Sequence, residues 1–193
     1  MTALKKISSL AAVIAITSAS DMHDVLAQIV VSACELTDAQ YGALGVIGDT
    51  DNLSAFITHG ISEADRDLIG DLPTGRGILR LLIDRPEPIR IDHLADHEAS
   101  FGFPPNHPPM SSFLGVPVRI RGTVFGNLYL CDKVGADAFT DVDEELAVGL
   151  ASAAGIAIEN ARLHARVAEF ATLEDRERIA RDLHDTVIQR LFA

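Results

Sequence analysis

The C-terminal segment carries three side chains whose types and spacing suit phosphoryl chemistry. His184 is followed directly by Asp185, and Gln189 comes four residues after the aspartate. An accessible imidazole becomes a good nucleophile toward a γ-phosphate when a carboxylate orients it and accepts its second proton. Residues at i and i+4 share one helical face, so Gln189 could position a water that hydrolyses an acyl phosphate on a docked partner. The simpler alternative is a solvated surface histidine.

A second candidate site is a loop in which His107 stands between prolines, in the string PPNHPPM. Proline restricts the flanking backbone, so the imidazole could be held in place at low entropic cost. The nearby apolar residues are Phe101, Phe103, Met110, Phe113 and Leu114. This composition suits an apolar, ring-shaped ligand. A loop that is merely closed by hydrogen bonds of the imidazole is the alternative.

Composition and charge narrow the classes of function. The 193 residues include 16 Lys and Arg against 28 Asp and Glu, a formal net charge of −12. This sign argues against direct binding of nucleic acid. Cys34 and Cys131 form no CxxC pair or metal-ligand cluster, which disfavours a disulfide scaffold or a zinc site and favours the reducing cytoplasm. Cys131 could sense redox state, although a small buried apolar residue is the simpler interpretation.

Several patterns predict the elements that position these residues. Short apolar or alternating runs bounded by turn residues predict strands at 41–46, 53–58, 88–91, 113–121 and 124–131. The last two predict a central antiparallel hairpin that turns at Gly122. Ser62 and Asp65 have the spacing of a helix cap, and that helix should end at Gly70. Residues 1–19 favour an amphipathic helix, with a signal peptide as the alternative, and no stretch is long and apolar enough for a membrane span.

From Thr140 a helical pattern without proline runs to the last residue. This length favours a coiled coil or linked helices. The 4,3 spacing of a heptad seam is kept by Ile156, Asn160, Leu163, Val167 and Phe170. A buried Asn160 would fix register and partner number. The seam predicts parallel dimerisation through residues 142–171. Truncation after Leu150 should therefore give a monomer. The seam breaks at residues 172–178, which are a candidate hinge. The alternative is that Asn160 faces solvent on an ordinary terminal helix.

Two segments resemble known families. Residues 20–164 resemble a GAF domain in YGALGVIG, in GFPPNHPPMSSFLGVPVRIRGTVFGNLYLCDK and in AFTDVDEELAVGLASAAGIAIENARL, most like the sensory GAF domains of actinobacterial oxygen- and redox-sensing dormancy histidine kinases. Residues 174–193, EDRERIARDLHDTVIQRLFA, resemble the phosphoacceptor helix of the kinases in that group. The resemblance implies an α+β GAF fold with an antiparallel sheet flanked by helices. Residues 165–193 would be a signalling helix and the start of a dimerisation and phosphoacceptor domain.

For the C-terminal segment, the resemblance implies that His184 is the phosphoacceptor, Asp185 the base and Gln189 the residue that positions the phosphatase water. The expected partners are a second copy of the chain and a response regulator. ATP would bind only to a catalytic domain, and none precedes Ala193. We therefore expect a portion of a longer kinase that does not phosphorylate itself alone.

For the loop, the resemblance implies a haem whose iron is ligated by His107 and whose distal side is lined by Tyr129, with Met110 and Phe113 also at the site. A proximal histidine with one distal hydroxyl would favour gas binding or redox sensing. Similar loops occur in GAF domains without known haem, so another small ligand is the alternative.

Two rival functions stay open. One is a stand-alone GAF module for ligand binding or dimerisation, without kinase activity. The other is an enzyme of the free-methionine sulfoxide reductase type on the same fold. The wide separation of the two cysteines argues against that enzyme, because it leaves no reactive pair.

Overall fold

The computed structural model describes residues 22–48, 53–70, 77–100 and 102–191, with the backbone alone for Ala165 and for 168–191. The helix predicted for residues 1–19 therefore lies outside the described residues. So does Phe101, one of the apolar residues expected near His107.

The described residues form one antiparallel sheet of five strands, each close to its predicted position. The strands are β1 Ala39–Ile47, β2 Leu53–His59, β3 Ile89–Ile91, β4 Phe113–Ile120 and β5 Thr123–Lys133. Their order across the sheet is β2-β1-β5-β4-β3, so the predicted hairpin of β4 and β5 lies inside the sheet. Its turn is tight because Arg121 and Gly122 have φ values of 50° and 83°. A two-residue type I′ turn needs positive φ at both positions.

Four α-helices are described. They are α1 Met22–Thr37, α2 Glu63–Ile69, α3 Ile78–Asp84 and α4 Asp141–Leu191, and a 3-10 turn spans Leu94–Asp96. The predicted cap of α2 is confirmed, since the Ser62 hydroxyl accepts a hydrogen bond of 3.1 Å from the backbone N–H of Asp65. The backbone of α4 stays helical through 172–178, so the candidate hinge is not a break in the helix.

Helices α1 and α4 pack on one face of the sheet and form the helix-side core. Its fully buried members include Ile29, Val30, Leu44, Leu114, Leu128, Leu130 and Ile158. Helix α4 lies very close to β4, because a Cβ atom on Gly155 would collide with the carbonyl oxygen of Arg119. Burying each large aliphatic side chain contributes about 1.5–3 kcal/mol, so this layer is a main source of stability for the domain.

One stretch of α4, Asp141–His164, is long and apolar enough to cross a membrane by length and composition alone. Part of this stretch is buried against the sheet, as in the core helix of a globular domain. The apolar character is thus explained by packing, and the stretch is not a convincing membrane span.

Candidate functional site

The face of the sheet opposite α1 and α4 carries a smaller apolar layer. Its buried members, which we name the aromatic cluster, are Leu82, Ile91, Leu94, Phe113 and Tyr129. The ring of Tyr129 lies between Phe56 and Phe113, at centroid distances of 6.2 and 6.1 Å. Met110 packs against the same cluster. The structure therefore brings together three of the predicted site residues: Tyr129, Phe113 and Met110.

Two side chains of β5, Asn127 and Tyr129, have buried polar atoms without a close hydrogen-bond partner in the described part of the chain. The Tyr129 hydroxyl and both polar atoms of the Asn127 side chain are buried and have no hydrogen-bond partner among the described residues. Burial raises the pKa of Tyr129 to about 12, and the nearby Asn127 side chain opposes part of that rise. The hydroxyl therefore stays protonated at neutral pH and can donate a hydrogen bond. Leaving a buried polar group unpaired costs about 1–3 kcal/mol, so these atoms are an unfavourable feature of the ligand-free domain.

The His107 loop, residues 102–112, enters β4 beside this layer. The Nδ1 atom of His107 lies 2.8 Å from the carbonyl oxygen of Pro108, which can only accept, so Nδ1 carries the proton. The imidazole stacks on Phe103 with a centroid distance of 4.6 Å. The side-chain amide of Asn106 donates to the Leu68 carbonyl at 3.0 Å and ties the loop to the end of α2.

This arrangement leaves Nε2 of His107 as the lone-pair atom, without a hydrogen-bond partner among the described residues. An imidazole whose Nδ1–H is held by a carbonyl is the usual form of a metal-ligating histidine. The His107 ring contacts Phe103 and is not a member of the aromatic cluster. Met110, three residues later in the same loop, does pack against the cluster. The loop-closing bond to Pro108 also fits the alternative of a merely structural histidine.

One of the apolar residues expected near His107 lies elsewhere. Leu114 is fully buried in the helix-side core, whereas its neighbour Phe113 belongs to the aromatic cluster. Successive residues of a strand point to opposite faces, so adjacency in sequence placed Leu114 wrongly.

The two cysteines lie on opposite faces of the sheet. Cys34 belongs to the helix-side core, and Cys131 packs against the aromatic cluster. Burial raises the pKa of the Cys34 thiol to about 12, with a further contribution from Glu35. Burial also raises the pKa of Cys131 far above its ordinary value, with smaller contributions from Asp132 and Cys34. The raised pKa of each cysteine favours the thiol over the thiolate, which is the reactive form.

The phosphoacceptor residues lie on α4, in the part whose side chains are outside the described residues. The backbone is helical through Leu191, so Asp185 and Gln189 are one helical turn apart, as the sequence predicts. The roles of His184, Asp185 and Gln189 stay predictions.

Helix α4 also presents an exposed apolar stripe toward solvent. Ile156 and Val167 are 64% and 67% exposed, and Asn160 and Leu163 are exposed between them. The 4,3 spacing continues back through Ala153, Gly149 and Leu146 to the exposed Val142. This stretch lies within the dimerisation region 142–171 predicted from the sequence, but seam residues were identified only from Ile156 onward, because Gly149 and Ala153 give little apolar signal.

Sequence reasoning also missed a buried ion pair at the start of α4. The Nζ atom of Lys133 lies 2.8 Å from Oδ1 of Asp143, and the two side chains are only 11% and 5% exposed. Burial alone would raise the pKa of Asp143, but hydrogen bonds from Lys133 and Thr140 outweigh it and hold that pKa below its ordinary value. The spacing of ten residues between the partners follows no helix or strand period, so no pattern in the sequence pointed to this contact.

Comparison with known proteins matches two separate parts of the chain, the sheet domain and the end of α4. A family model described as GAF domain matches residues 19–159, and a family model described as histidine kinase matches residues 175–193. The GAF domain of an Acinetobacter phosphoenolpyruvate-protein phosphotransferase is 22% identical, with a TM-score of 0.69 over 84% of this chain and 97% of that one. The corresponding domain from Coxiella burnetii is 24% identical, with a TM-score of 0.66 over 83% of this chain and 98% of that one.

The GAF domain of a putative sensor histidine kinase from Pseudomonas syringae pv. tomato is 19% identical, with a TM-score of 0.59 over 87% of this chain and 94% of that one. At these identities the structural likeness concerns the fold, and the predicted fold is confirmed. The two family matches together support a histidine kinase that contains such a domain.

Proposed function

Because the chain belongs to the GAF domain family and carries a histidine kinase segment at 175–193, we propose that it is the sensory and phosphoacceptor part of a cytoplasmic two-component kinase. The observation that carries the proposal is the continuity of α4. Its first half packs on the face of the sheet opposite the aromatic cluster, and the same helix continues to Leu191, past His184. A rigid helix is a direct physical link between a ligand-binding domain and a phosphoacceptor.

The proposed reaction uses three residues of this helix. A ring nitrogen of His184 attacks the γ-phosphorus of ATP held by a catalytic domain, the bond to the β-phosphate oxygen breaks, and ADP leaves. Asp185 orients the imidazole and accepts its other proton. Gln189 positions a water that hydrolyses the acyl phosphate of the response regulator.

Phosphotransfer is tested by supplying a histidine kinase catalytic domain in cis or in trans with labelled ATP. His184→Gln should abolish the label, and Asp185→Asn should slow labelling. Gln189→Ala should keep labelling and impair dephosphorylation of the regulator. His164→Gln, on the same helix, is the matched control and should label normally. If the His184→Gln protein still carries the label, the assignment fails and a stand-alone GAF module becomes the better function.

We also propose that the aromatic cluster and the adjoining His107 loop hold haem, because the residues present suit that group. His107 offers a lone pair at Nε2 with its other nitrogen held by Pro108, and Tyr129 offers a buried, unpaired hydroxyl. Met110 and Phe113 supply apolar contact at the same layer. Bound haem would supply an iron that binds a small gas or changes oxidation state. In that case His107 would hold the iron, and the Tyr129 hydroxyl would donate a hydrogen bond that discriminates between ligands.

Haem binding is tested by the absorption spectrum after reconstitution. His107→Ala should lose the axial bond and most of the Soret absorbance. His97→Ala is the matched control, because His97 is another loop histidine and its Nδ1 only accepts from the Ala99 amide at 3.1 Å. Absence of a Soret band, or a band that survives His107→Ala, would replace haem by another small ligand.

We further propose that the exposed apolar stripe of α4 pairs with the same stripe of a second copy. Its 4,3 spacing is that of a coiled-coil seam, and Asn160 would set the register of parallel helices. Ile156→Lys should give a monomer in light scattering. Val148→Lys, an exposed position of the same helix outside the stripe, should leave the dimer intact. A monomeric parent chain at tens of micromolar would contradict the proposal.

A further inference from the structure

Two consecutive residues at the end of β5 join the His107 loop to the start of α4. The first is Asp132, whose Oδ1 accepts hydrogen bonds from the backbone N–H groups of Ser111 and Ser112, at 2.7 and 3.2 Å. Its own N–H donates to the Ser112 carbonyl at 3.0 Å. The N–H of Lys133 donates to the Ser112 hydroxyl oxygen at 3.1 Å. Four hydrogen bonds thus fix the end of the His107 loop to the end of β5.

The second residue, Lys133, reaches in the other direction. Besides its bond to Asp143, its ammonium donates to the Thr37 carbonyl at 2.7 Å and lies 3.5 Å from a carboxylate oxygen of Asp38. The other carboxylate oxygen of Asp143 accepts from the backbone N–H and the hydroxyl of Thr140, both at 2.8 Å. These contacts fix the first turn of α4 to β5 and to the end of α1.

The two sets of contacts are mechanically connected. Asp132 and Lys133 share a peptide plane, and Asp132 has a φ of 56°, a left-handed conformation that few residues other than glycine adopt. Only the bond from the Lys133 N–H lies in that plane, but a displacement of Asp132 that broke the other three bonds to the loop would also shift the backbone of Lys133. Such a shift would pull the ammonium away from Asp143, and breaking a buried ion pair is strongly unfavourable. The geometry therefore favours joint retention or joint loss of both sets.

We propose that Asp132 and Lys133 form a relay that couples the conformation of the His107 loop to the first turn of α4. The direction of use, from ligand to helix, rests on the proposed sensory function. The coupling itself does not, since it follows from contacts present in the chain alone. Because coupling between two sites is reciprocal, a change at the helix must also loosen the loop.

The relay is tested by amide hydrogen exchange of the 193-residue chain, followed by NMR. Asp143→Asn should raise the exchange rates of the Ser111 and Ser112 amides about tenfold, the size of an ordinary coupling, although Asp143 is hydrogen-bonded to Lys133 and Thr140 and to neither serine. In the reverse direction, Asp132→Ala should raise the exchange rate of the Thr140 amide, which donates to Asp143. Thr140→Val, which removes one hydroxyl bond to Asp143, is a milder variant if Asp143→Asn does not fold.

The matched control is Asp141→Asn. Asp141 lies in the same helical turn and pairs with Arg90 at 2.6 Å, but its side chain is 88% exposed and is not part of the relay. It should leave the Ser111 and Ser112 amides unchanged. Amides of Leu44 and Ile57, in the pair β1 and β2 at the other side of the sheet, report general loosening.

Exchange that rises only at the substituted end, or rises equally at Leu44 and Ile57, would overturn the relay. Neither result would bear on the proposed function, because the measurement requires no haem and no phosphate. Conversely, a chain that binds no haem could still show the coupling.

Discussion

The two faces of the sheet share the same strands but differ in how completely their side chains are satisfied. On the helix side, Leu128 and Leu130 of β5 are fully buried among aliphatic side chains, and Asp143 at the edge of that layer is fully hydrogen-bonded. On the other face, Tyr129 of the same strand is equally buried, yet its hydroxyl and the Asn127 amide have no partner among the described residues. Buried polar atoms without a partner lower the stability of the layer that contains them. The difference is that the helix-side core has its polar groups paired, whereas the opposite layer contains buried polar atoms that a bound ligand of the proposed kind would pair.

The largest effect should come from the helix-side core. Leu128 is fully buried on the central strand, directly opposite Leu44 and Val116 on its two neighbours. Leu128→Ala should lower the free energy of unfolding by about 2–5 kcal/mol, since it removes transfer energy and leaves a cavity. Denaturant titration measures this loss. A cost below about 1 kcal/mol would show that Leu128 contributes less to the helix-side core than its full burial indicates.

The stability of the protein at acid pH should depend on Asp143, the paired carboxylate on the helix side. The pKa of Asp143 is held below its ordinary value of 3.8 in the folded chain. A carboxylate with a lowered folded pKa stabilises the protein above its unfolded pKa, and that stability is lost as the pH falls through the folded pKa. Stability should therefore decline below about pH 4.

Asp143→Asn removes the titrating group and should flatten this acid limb. Asp141→Asn, which changes an exposed carboxylate in the same helical turn, should change it less. Thermal unfolding of the three proteins between about pH 3 and 6 checks the comparison. If the parent and Asp143→Asn lost the same stability as the pH falls, the pH dependence would belong to other carboxylates.

The sequence predicted the strands well because alternation and turn residues are local signals. The hairpin at Gly122 and the cap at Ser62 depend on neighbours within a few residues, and both were found. The same local signals cannot say which face of a strand meets which helix, so Leu114 was placed at the wrong site. Contacts such as that of Lys133 with Thr37, which are 96 residues apart, depend on the completed fold.

The predicted truncation after Leu150 shows the same limit. The heptad spacing described one side of α4, and no pattern in the sequence indicated that the other side supports the sheet. Ala151, Ala154, Ala157 and Ile158 are buried in the helix-side core. Cutting the helix at Leu150 would remove these core residues together with the seam, so a monomer obtained in this way would not identify the interface. Substitution of Ile156 within the intact helix avoids the ambiguity.

The smallest expected change in stability comes from Tyr129→Phe, which tests the contrast between the two faces of the sheet most directly. Tyr129→Phe keeps the ring between Phe56 and Phe113 and removes only the unpaired hydroxyl. If no group pairs with that hydroxyl in the ligand-free protein, its removal should raise the free energy of unfolding slightly, by up to about 1 kcal/mol, because a buried polar group without a partner is unfavourable. Thermal unfolding without added ligand measures the sign. Val116→Ala, on the helix-side core, is the contrasting control and should be destabilising.

With ligand present, the order of stability of the parent and Tyr129→Phe should reverse. The parent should gain more stability from ligand than Tyr129→Phe does, because only the parent can donate the hydrogen bond. A loss of stability in the ligand-free Tyr129→Phe protein would mean that the hydroxyl is already paired, and the contrast between the two faces would then rest on Asn127 alone.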